Sequence, residues 1–535
     1  MAKTNLKPCL QTAIDNVVRF GDTDIFPFPI ENHILHDKRE DVVKLLRSAY
    51  SSFNDCFVLH PPSHINTLCP VGQSGFRWAT QQDPFWNAFL LGITLSIADD
   101  IEASRIPTDK QIIFSYRLAA DTTNGALFRD DIGWQDFMSH STALAQNHKF
   151  VVLCDIADCY QRVYHHRLEN ALRQLPSKNA AAKQIMEVLQ HFSNTKSYGL
   201  PIGGPAARIL VELVLNLTDQ LLKSHQIAFC RYADDYHIFV DNHDEAYEKL
   251  LFISEKLLRN DGLSLQKSKT RIVSSAEFIS TQSILSSPEL EDDSDTKLLF
   301  KLKLRFDPYS SRADEQYEQL KSVLDKIDVV RMLNIELAKS RIHAAVTRRL
   351  VAAIRHLDIA VKENAILTLL KNLDGLYPVF PIVAITLKSC LSELSNETRD
   401  RICEVLRERV IRKSFLLRSE LHAAFTVRVL SEMKTSDNED ILVNLYNSFR
   451  TPLVRRDVIL AMAKWKEYPW LADQINDYSG VSPWEKRAFI IASYAMGDAG
   501  SHWRDHMKKS FNAFELLVRD WAAEKSNQKG WSIPI

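Results

Sequence analysis

Two adjacent aspartates, Asp234 and Asp235, stand between the apolar runs Ile227–Cys230 and Tyr236–Val240, and a third, Asp155, closes the run Phe150–Cys154. Short apolar runs bounded by polar residues read as buried strands, and two of them joined by a tight polar turn read as a hairpin. The sequence therefore predicts three carboxylates at the ends of neighbouring strands, two of them at a hairpin tip. Carboxylates held together repel unless cations neutralise them, and an oxygen-only donor set favours Mg²⁺, with Mn²⁺ as substitute, over zinc or copper. Two such ions can clamp a phosphoryl transfer, one activating the attacking hydroxyl and the other neutralising the leaving group. A solvated Asp-Asp turn is the plainer alternative.

The surroundings extend this pattern. A helix follows Asp155, with apolar residues at 168, 172 and 175, and a second runs from about Ala206 to Leu222. Between them lies the turn Gly199-Leu200-Pro201-Ile202-Gly203-Gly204-Pro205, and another helix, Asp244–Leu258, follows the hairpin. Strand, helix, helix and hairpin in that order make an α+β arrangement, an antiparallel sheet backed by helices. Residues 1–149 read as mixed structure with Pro-rich joints such as Phe26-Pro27-Phe28-Pro29. The acidic stretch after Ser286-Ser287-Pro288 reads as a boundary, and the chain from about 315 onward reads as helical. Thr451-Pro452 and Ser482-Pro483, 31 residues apart, each open an apolar-striped helix with a cap and a first-turn Pro. That spacing suggests an irregular α-solenoid resembling HEAT repeats; a non-repeating helical bundle is the alternative. The predicted division is 1–149, an N-terminal region of mixed structure; 150–275, the carboxylate core; 276–330, a connector; and 331–535, helical repeats.

Composition limits what this core can be. With 45% apolar and 25% charged residues, 15 Gly and 19 Pro, the chain has the make-up of an ordinary globular protein, and its 535 residues allow several domains. A formal charge of −1 supplies no global field for nucleic acid, so any such contact rests on local basic patches. The eight cysteines form no zinc-spaced cluster and read as buried thiols of a reducing compartment. Phe85–Ala98 contains Asn87 and is too short to span a bilayer, so it reads as a core helix. No signal or lipidation motif opens the sequence, which makes the cytoplasm the expected location and leaves no membrane partner.

Taken together, five ordered segments resemble the reverse transcriptase family. Asp155-Ile156-Ala157-Asp158-Cys159-Tyr160 is similar to that family's first catalytic segment. The resemblance implies that Asp155 is a metal ligand, that Ile156 offers its carbonyl to the metal, and that Tyr160 rejects a ribose 2′-hydroxyl, selecting deoxynucleoside triphosphates. Gly199–Gly204 resembles the glycine-containing segment near the templating base, with Gly203 in the nucleotide-binding backbone and Ile202 where glutamine is frequent. Tyr232-Ala233-Asp234-Asp235 is similar to the metal-binding hairpin, implying a direct ligand in Asp234 and a nearby acid in Asp235. Leu265–Thr270 resembles the segment whose lysine, here Lys269, faces the triphosphate, and Phe114-Ser115-Tyr116-Arg117 the fingers segment that places an arginine, Arg117, on the same group. The implied architecture is a fingers–palm core of α+β class followed by the all-α repeat region.

Gly21–Glu31 looks like the N-terminal signature of bacterial defence reverse transcriptases, and helical repeats stand where a thumb or RNase H domain is usual. Both features resemble the AbiK-like, prophage-borne abortive-infection group. That resemblance implies Mg²⁺-dependent DNA synthesis without a template, primed on a protein hydroxyl, in a homo-oligomer that stops phage growth. The product would be single-stranded DNA covalently attached to the protein, in response to a phage trigger that the sequence does not name. Tyr50 is the candidate priming residue, and Arg341, Arg348 and Arg355, seven residues apart with Arg349 beside them, are the candidate track for product DNA. A packing tyrosine and a solvated helix face are the respective alternatives. Two other functional readings remain: templated synthesis on a structured RNA, and a non-catalytic scaffold that binds a phage protein.

Overall fold

The computed structural model describes residues 6–21, 25–72, 75–119, 125–176, 180–193, 196–286, 327–339 and 342–535. Most of the predicted connector, 287–326, lies outside the described residues, as does Arg341.

The sheet that carries the carboxylates has four antiparallel strands in the order β4-β5-β3-β6. They are β3 (Phe150–Asp155), β4 (Phe229–Tyr232), β5 (Asp235–Val240) and β6 (Arg271–Ser274), counted after a separate hairpin of β1 (His64–Val71) and β2 (Gly75–Gln82). Side chains alternate between faces along a strand, yet β3 and β5 read as nearly continuous apolar runs because both faces are covered. Val151 and Phe239 pack with Phe137 and Phe278 on one face, while Val152, Cys154, Tyr236 and Ile238 join the main core on the other.

Helices supply those covers. The N-terminal region contains α1 (Leu6–Phe20), α2 (Glu31–Asp37), α3 (Arg39–Ser51), α4 (Phe53–Leu59), α5 (Pro84–Leu95), α6 (Ala98–Ser104) and α7 (Trp134–Ala145). The short α8 (Cys159–Arg162) follows β3, then α9 (His165–Gln174), α10 (Ala180–Phe192), α11 (Pro205–Ser224), α12 (His243–Lys256) and α13 (Ser275–Ser286). α7 and α13 lie on one face of the sheet, and α11 and α12 back the other. α5, apolar on every side and fully buried, is the core helix expected of the Phe85–Ala98 run. Among the described residues no helix is long and apolar enough to cross a membrane.

The C-terminal region is helical throughout its described part. Its helices are α14 (Val329–Ala338), α15 (Ala344–Ala353), α16 (Ile359–Lys371), α17 (Phe380–Cys390), α18 (Asn396–Ile411) and α19 (Glu420–Leu430). They continue with α20 (Ser436–Ser448), α21 (Pro452–Trp465), α22 (Tyr468–Gln474), α23 (Pro483–Ala492), α24 (Gly497–Met507) and α25 (Ala513–Ser526). Contacts join every second helix: α15, α17, α19, α21, α23 and α25 form one row, and α14, α16, α18 and α20 another. The Ser482-Pro483 start is a full capping box, in which the hydroxyl of Ser482 accepts from the Glu485 amide and the Glu485 carboxylate accepts from the Ser482 amide.

The sequence does not foretell where these rows attach. They fold back onto the first 85 residues, with α19 against β1 and α25 against α2 and α3. Arg487 of α23 is completely buried there, bonded to Glu31 at 2.5 Å and Asp83 at 2.8 Å, with its guanidinium over the Trp484 ring. Around it, Arg456 donates to Gln81 at 3.0 Å, and the indole of Trp521 donates to Asp37 at 2.8 Å. Half of the predicted N-terminal region is thus the seat of the C-terminal rows. Removing one partner of a buried ion pair leaves the others desolvated and unmatched, at a cost of about 3–5 kcal/mol. Arg487→Met is expected to lower the unfolding free energy measured in urea by that amount and to expose the junction between the two regions to limited proteolysis; an unchanged free energy would deny the pair its structural role.

Candidate active site

Register puts the carboxylates together. Asp155 pairs with Asp235 across β3 and β5, and Tyr232 pairs with Asp235 across β4 and β5, leaving Ala233 and Asp234 as a two-residue loop. Ala233 holds a φ of 53°, a left-handed conformation that costs a non-glycine residue about 1–2 kcal/mol. Its carbonyl accepts a hydrogen bond from Arg231 at 2.8 Å, which holds the loop in that shape from beneath. The Ile156 amide donates to the Asp234 carbonyl at 3.1 Å, and the Gln266 amide to the Asp155 carbonyl at 2.7 Å. The strand ends and the segment carrying Lys269 are therefore tied together through the backbone.

Arg231 belongs to a buried charge network. Its fully buried guanidinium bonds Asp219 at 2.6 Å and Glu212 at 2.8 Å, both on α11, and Tyr236 donates to Asp219 at 3.1 Å. Glu212 also receives Arg105 at 2.5 Å and the Ser115 hydroxyl at 2.6 Å. Coulombic attraction to Arg231 and Arg105 outweighs burial at Glu212 and holds its carboxyl below the usual range. Glu212 and Asp219 are seven residues apart on one helix face, and with Arg231 just before the loop they offered a sequence signal for this network.

The fingers segment runs beside β4, bridging Ile113 to Arg231 in parallel fashion. This placement corrects one expectation. Arg117 points away from the carboxylates into the core, where it bonds Glu102 at 2.8 Å and the carbonyls of Ile113 and Ile106 at 3.0 and 2.5 Å. It is 1% exposed. Its neighbour Tyr116, at φ 46°, packs its ring against Phe128 and Tyr232, with centroids 5.3 and 6.2 Å apart. Arg208, in the first turn of α11, lies over the Tyr116 ring at 5.4 Å. Sequence reading missed both Tyr116 and Arg208, because a charged residue beside an aromatic one draws attention to the charge.

The remaining predicted residues fall as follows. Tyr160 lies on α8, half-buried, and its carbonyl accepts from the Leu200 amide at 2.7 Å, which fixes the glycine segment beside it. Gly203, at φ 116°, turns that segment into α11 with a backbone that a side chain would strain. Tyr50 ends α3, half-buried against the main core, with its carbonyl bonded by Gln184 at 2.9 Å; no contact among the described residues joins it to Asp155. Arg348 is exposed on α15, but that helix stops at Ala353, and Arg355 sits in the following 3-10 turn with its Nε on the Ala352 carbonyl. The expected seven-residue stripe is thus interrupted at its third member.

The Lys269 ammonium bonds Asp155 at 2.6 Å. Among the described residues no set of three His, Cys, Asp or Glu side chains already converges as a metal cage. The donors nonetheless fit a hard divalent cation. Three carboxyls against one ammonium leave a deficit of two positive charges, all the donors are oxygen, and the Lys269 side chain, 64% exposed, is free to swing outward. Burial raises the Asp234 carboxyl above its usual range, and burial together with the Asp234 and Asp155 carboxylates pushes Asp235 up to about 7.

Residues 103–296 match the family model described as reverse transcriptase (RNA-dependent DNA polymerase). Asp155, Asp234, Asp235, Tyr160, Gly203 and Lys269 all lie inside the matched stretch, whereas Tyr50, Arg348 and Arg355 lie outside it. No curated protein matches the chain. Among solved structures, similarity is found to telomerase from Candida albicans in complex with a fragment of telomeric RNA, at 11% identity and a TM-score of 0.31, covering 76% of this chain and 68% of that one. Apo telomerase from Candida tropicalis is similar at 10% identity and a TM-score of 0.29, covering 66% and 67%.

Between the unfolded carboxyl range near about 4 and the folded value of about 7, the folded protein holds a proton on Asp235 that the unfolded chain has released. Stability therefore falls as pH rises through that window, and the loss is complete above it. In metal-free buffer, Asp235→Asn is expected to melt above the wild type at pH 8, with the difference shrinking toward pH 5; a difference that does not vary with pH would contradict the carboxylate crowding.

Proposed function

We propose that this chain is a divalent-metal-dependent nucleotidyltransferase of the reverse transcriptase type that adds deoxynucleotides to a hydroxyl. The observation that carries the reading is the pairing of Asp155 with Asp235 across β3 and β5, with Asp234 in the adjoining loop, inside the stretch that matches the family. Asp155, Asp234 and the Ile156 carbonyl are the groups that would hold two ions, Mg²⁺ first and Mn²⁺ as substitute. Such ions, when bound, lower the pKa of the attacking hydroxyl and neutralise the pyrophosphate that leaves. The chain's own residues supply position. Tyr160, held at its carbonyl by the Leu200 amide, presents an aromatic edge to the sugar; Lys269 is placed to exchange Asp155 for a phosphate; and Arg117, locked in the core, braces the fingers segment.

Within this reading the synthesis is untemplated and primed on protein, and the activity serves antiphage defence in a homo-oligomer. Ile202, which cannot make the polar contact of glutamine, and the stacked C-terminal helices, read as HEAT-like, support that finer assignment. Templated synthesis on RNA is the second reading, favoured by the description of the matching family itself.

Incubating the protein with Mg²⁺ and labelled deoxynucleotides, without primer or template, separates the two. Label that stays with the protein and is released as DNA-peptide by protease supports self-primed synthesis. Extension only after a primed RNA is supplied supports the templated reading instead. In either case Asp234→Asn is expected to cut incorporation by about 10³-fold or more, several kcal/mol of transition-state stabilisation; full activity in that variant would remove the carboxylates from the chemistry. Tyr160→Ala is expected to raise ribonucleotide use relative to deoxynucleotide use by roughly tenfold or more, read as the ratio of kcat/KM values.

A further inference from the structure

Away from the carboxylates, a cleft of ≈ 890 Å³ opens between the end of α1, with the segment that follows it, and the helices α17 and α19. One wall is aromatic. Phe20 and Phe28 are 48% and 47% exposed, and the guanidinium of Arg19 lies over the Phe20 ring at 5.4 Å. Large apolar rings left half in water side by side on one wall of a cleft are unusual for a monomer's surface unless something stacks on them.

The opposite wall is cationic beyond its own needs. Lys388 shares its one carboxylate, Glu432, at 3.3 Å, with Lys464 outside the cleft, at 2.9 Å. Arg399 donates to the carbonyls of Leu391 and Ser392, and no carboxylate among the described residues lies within ion-pair distance of it. Arg428 is matched by Asp457 at 2.6 Å. Lys388 and Lys464 thus share a single acid, and Arg399 has none within ion-pair distance among the described residues. Burial and the neighbouring guanidinium of Arg428 together hold the Lys388 ammonium below its usual pKa. A smaller cavity of ≈ 500 Å³ adjoins the first, sharing Phe28, Lys388, Arg428 and Glu432 and adding Lys464.

We propose that this cleft is a second nucleotide site, taking a base against Phe20 and Phe28 and its phosphate against Lys388 and Arg399. Its volume falls in the ordinary range for small-ligand sites, and stacking rings beside surplus cations are the means by which proteins hold single-stranded nucleic acid without reading its sequence. None of its lining residues belongs to the carboxylate site, so it holds the nucleotide without acting on it. The choice of ligand rests on the polymerase reading, which gives the protein both free nucleotides and a growing strand to bind. The cleft also gives a role to Phe26-Pro27-Phe28, whose sequence signature the carboxylate site leaves unused.

The test is equilibrium binding of fluorescent (dT)10 and of fluorescent dTTP to the full chain in EDTA, which withholds metal from the carboxylates. The double variant Phe20→Ala/Phe28→Ala and the single variant Lys388→Gln are each expected to weaken binding about tenfold or more, while Asp234→Asn binds as the wild type does. Melting temperatures check that each variant is folded, and Phe28→Ala alone serves if the double variant is not. Loss for both probes identifies a free nucleotide as sufficient; loss for (dT)10 with no dTTP binding identifies a strand. The proposal is overturned if neither probe binds, if binding is indifferent to the cleft variants, or if inorganic tripolyphosphate competes as well as (dT)10. Binding without incorporation in the Mg²⁺ assay would keep the cleft and sink the polymerase reading, whereas incorporation without cleft binding would sink the cleft alone.

Discussion

The ion pairs of Arg231 with Glu212 and Asp219 underlie much of the arrangement. A guanidinium and two carboxylates wholly out of water are costly to desolvate, and they persist because five or more hydrogen bonds satisfy them. The cluster joins β4 to α11, reaches the fingers segment through Arg105 and Ser115, and ends on the carbonyl of the strained Ala233. The acidic loop above is therefore set by the core below it. A substitution at Glu212 or Asp219 acts on the site without touching it, by changing what holds the loop.

The parts of the fold written in local pattern were legible. The β3 run, the hairpin with its acids, and helices α9, α11 and α12 were placed to within two residues, because strand alternation, turn chemistry and helical periodicity are short-range signals. The β1–β2 hairpin was missed: its exposed face carries Leu68, Phe76 and Trp78, so the usual contrast between a polar and an apolar face is absent. β6 was missed because four residues with one buried valine make too short a run to stand out.

The acids of the site come together through local pattern, whereas the partners of its cations do not follow from it. Asp155, Asp234 and Asp235 are brought together by strand register, which an apolar run fixes. The direction a guanidinium takes depends on partners far away in the sequence: Arg117 follows Glu102 and two carbonyls into the core, and Lys269 finds Asp155. The basic residues expected at 341, 348 and 355 illustrate the same limit, since a seven-residue interval makes a stripe only while one helix continues, and α15 does not reach Arg355.

The junction at Arg487 bears on the order in which the chain can be completed. Glu31 and its partner are separated by 456 positions. At ribosomal rates of 5–20 residues per second, Glu31 is made roughly 20–90 s before the residue that neutralises it. During that interval the N-terminal helices have a carboxylate but no counter-charge, and the surface that receives α23 and α25 is bare. The nascent protein therefore passes through a stage in which its earliest segment is finished last, and a ribosome that stalls before the final quarter leaves the first 85 residues without their cover.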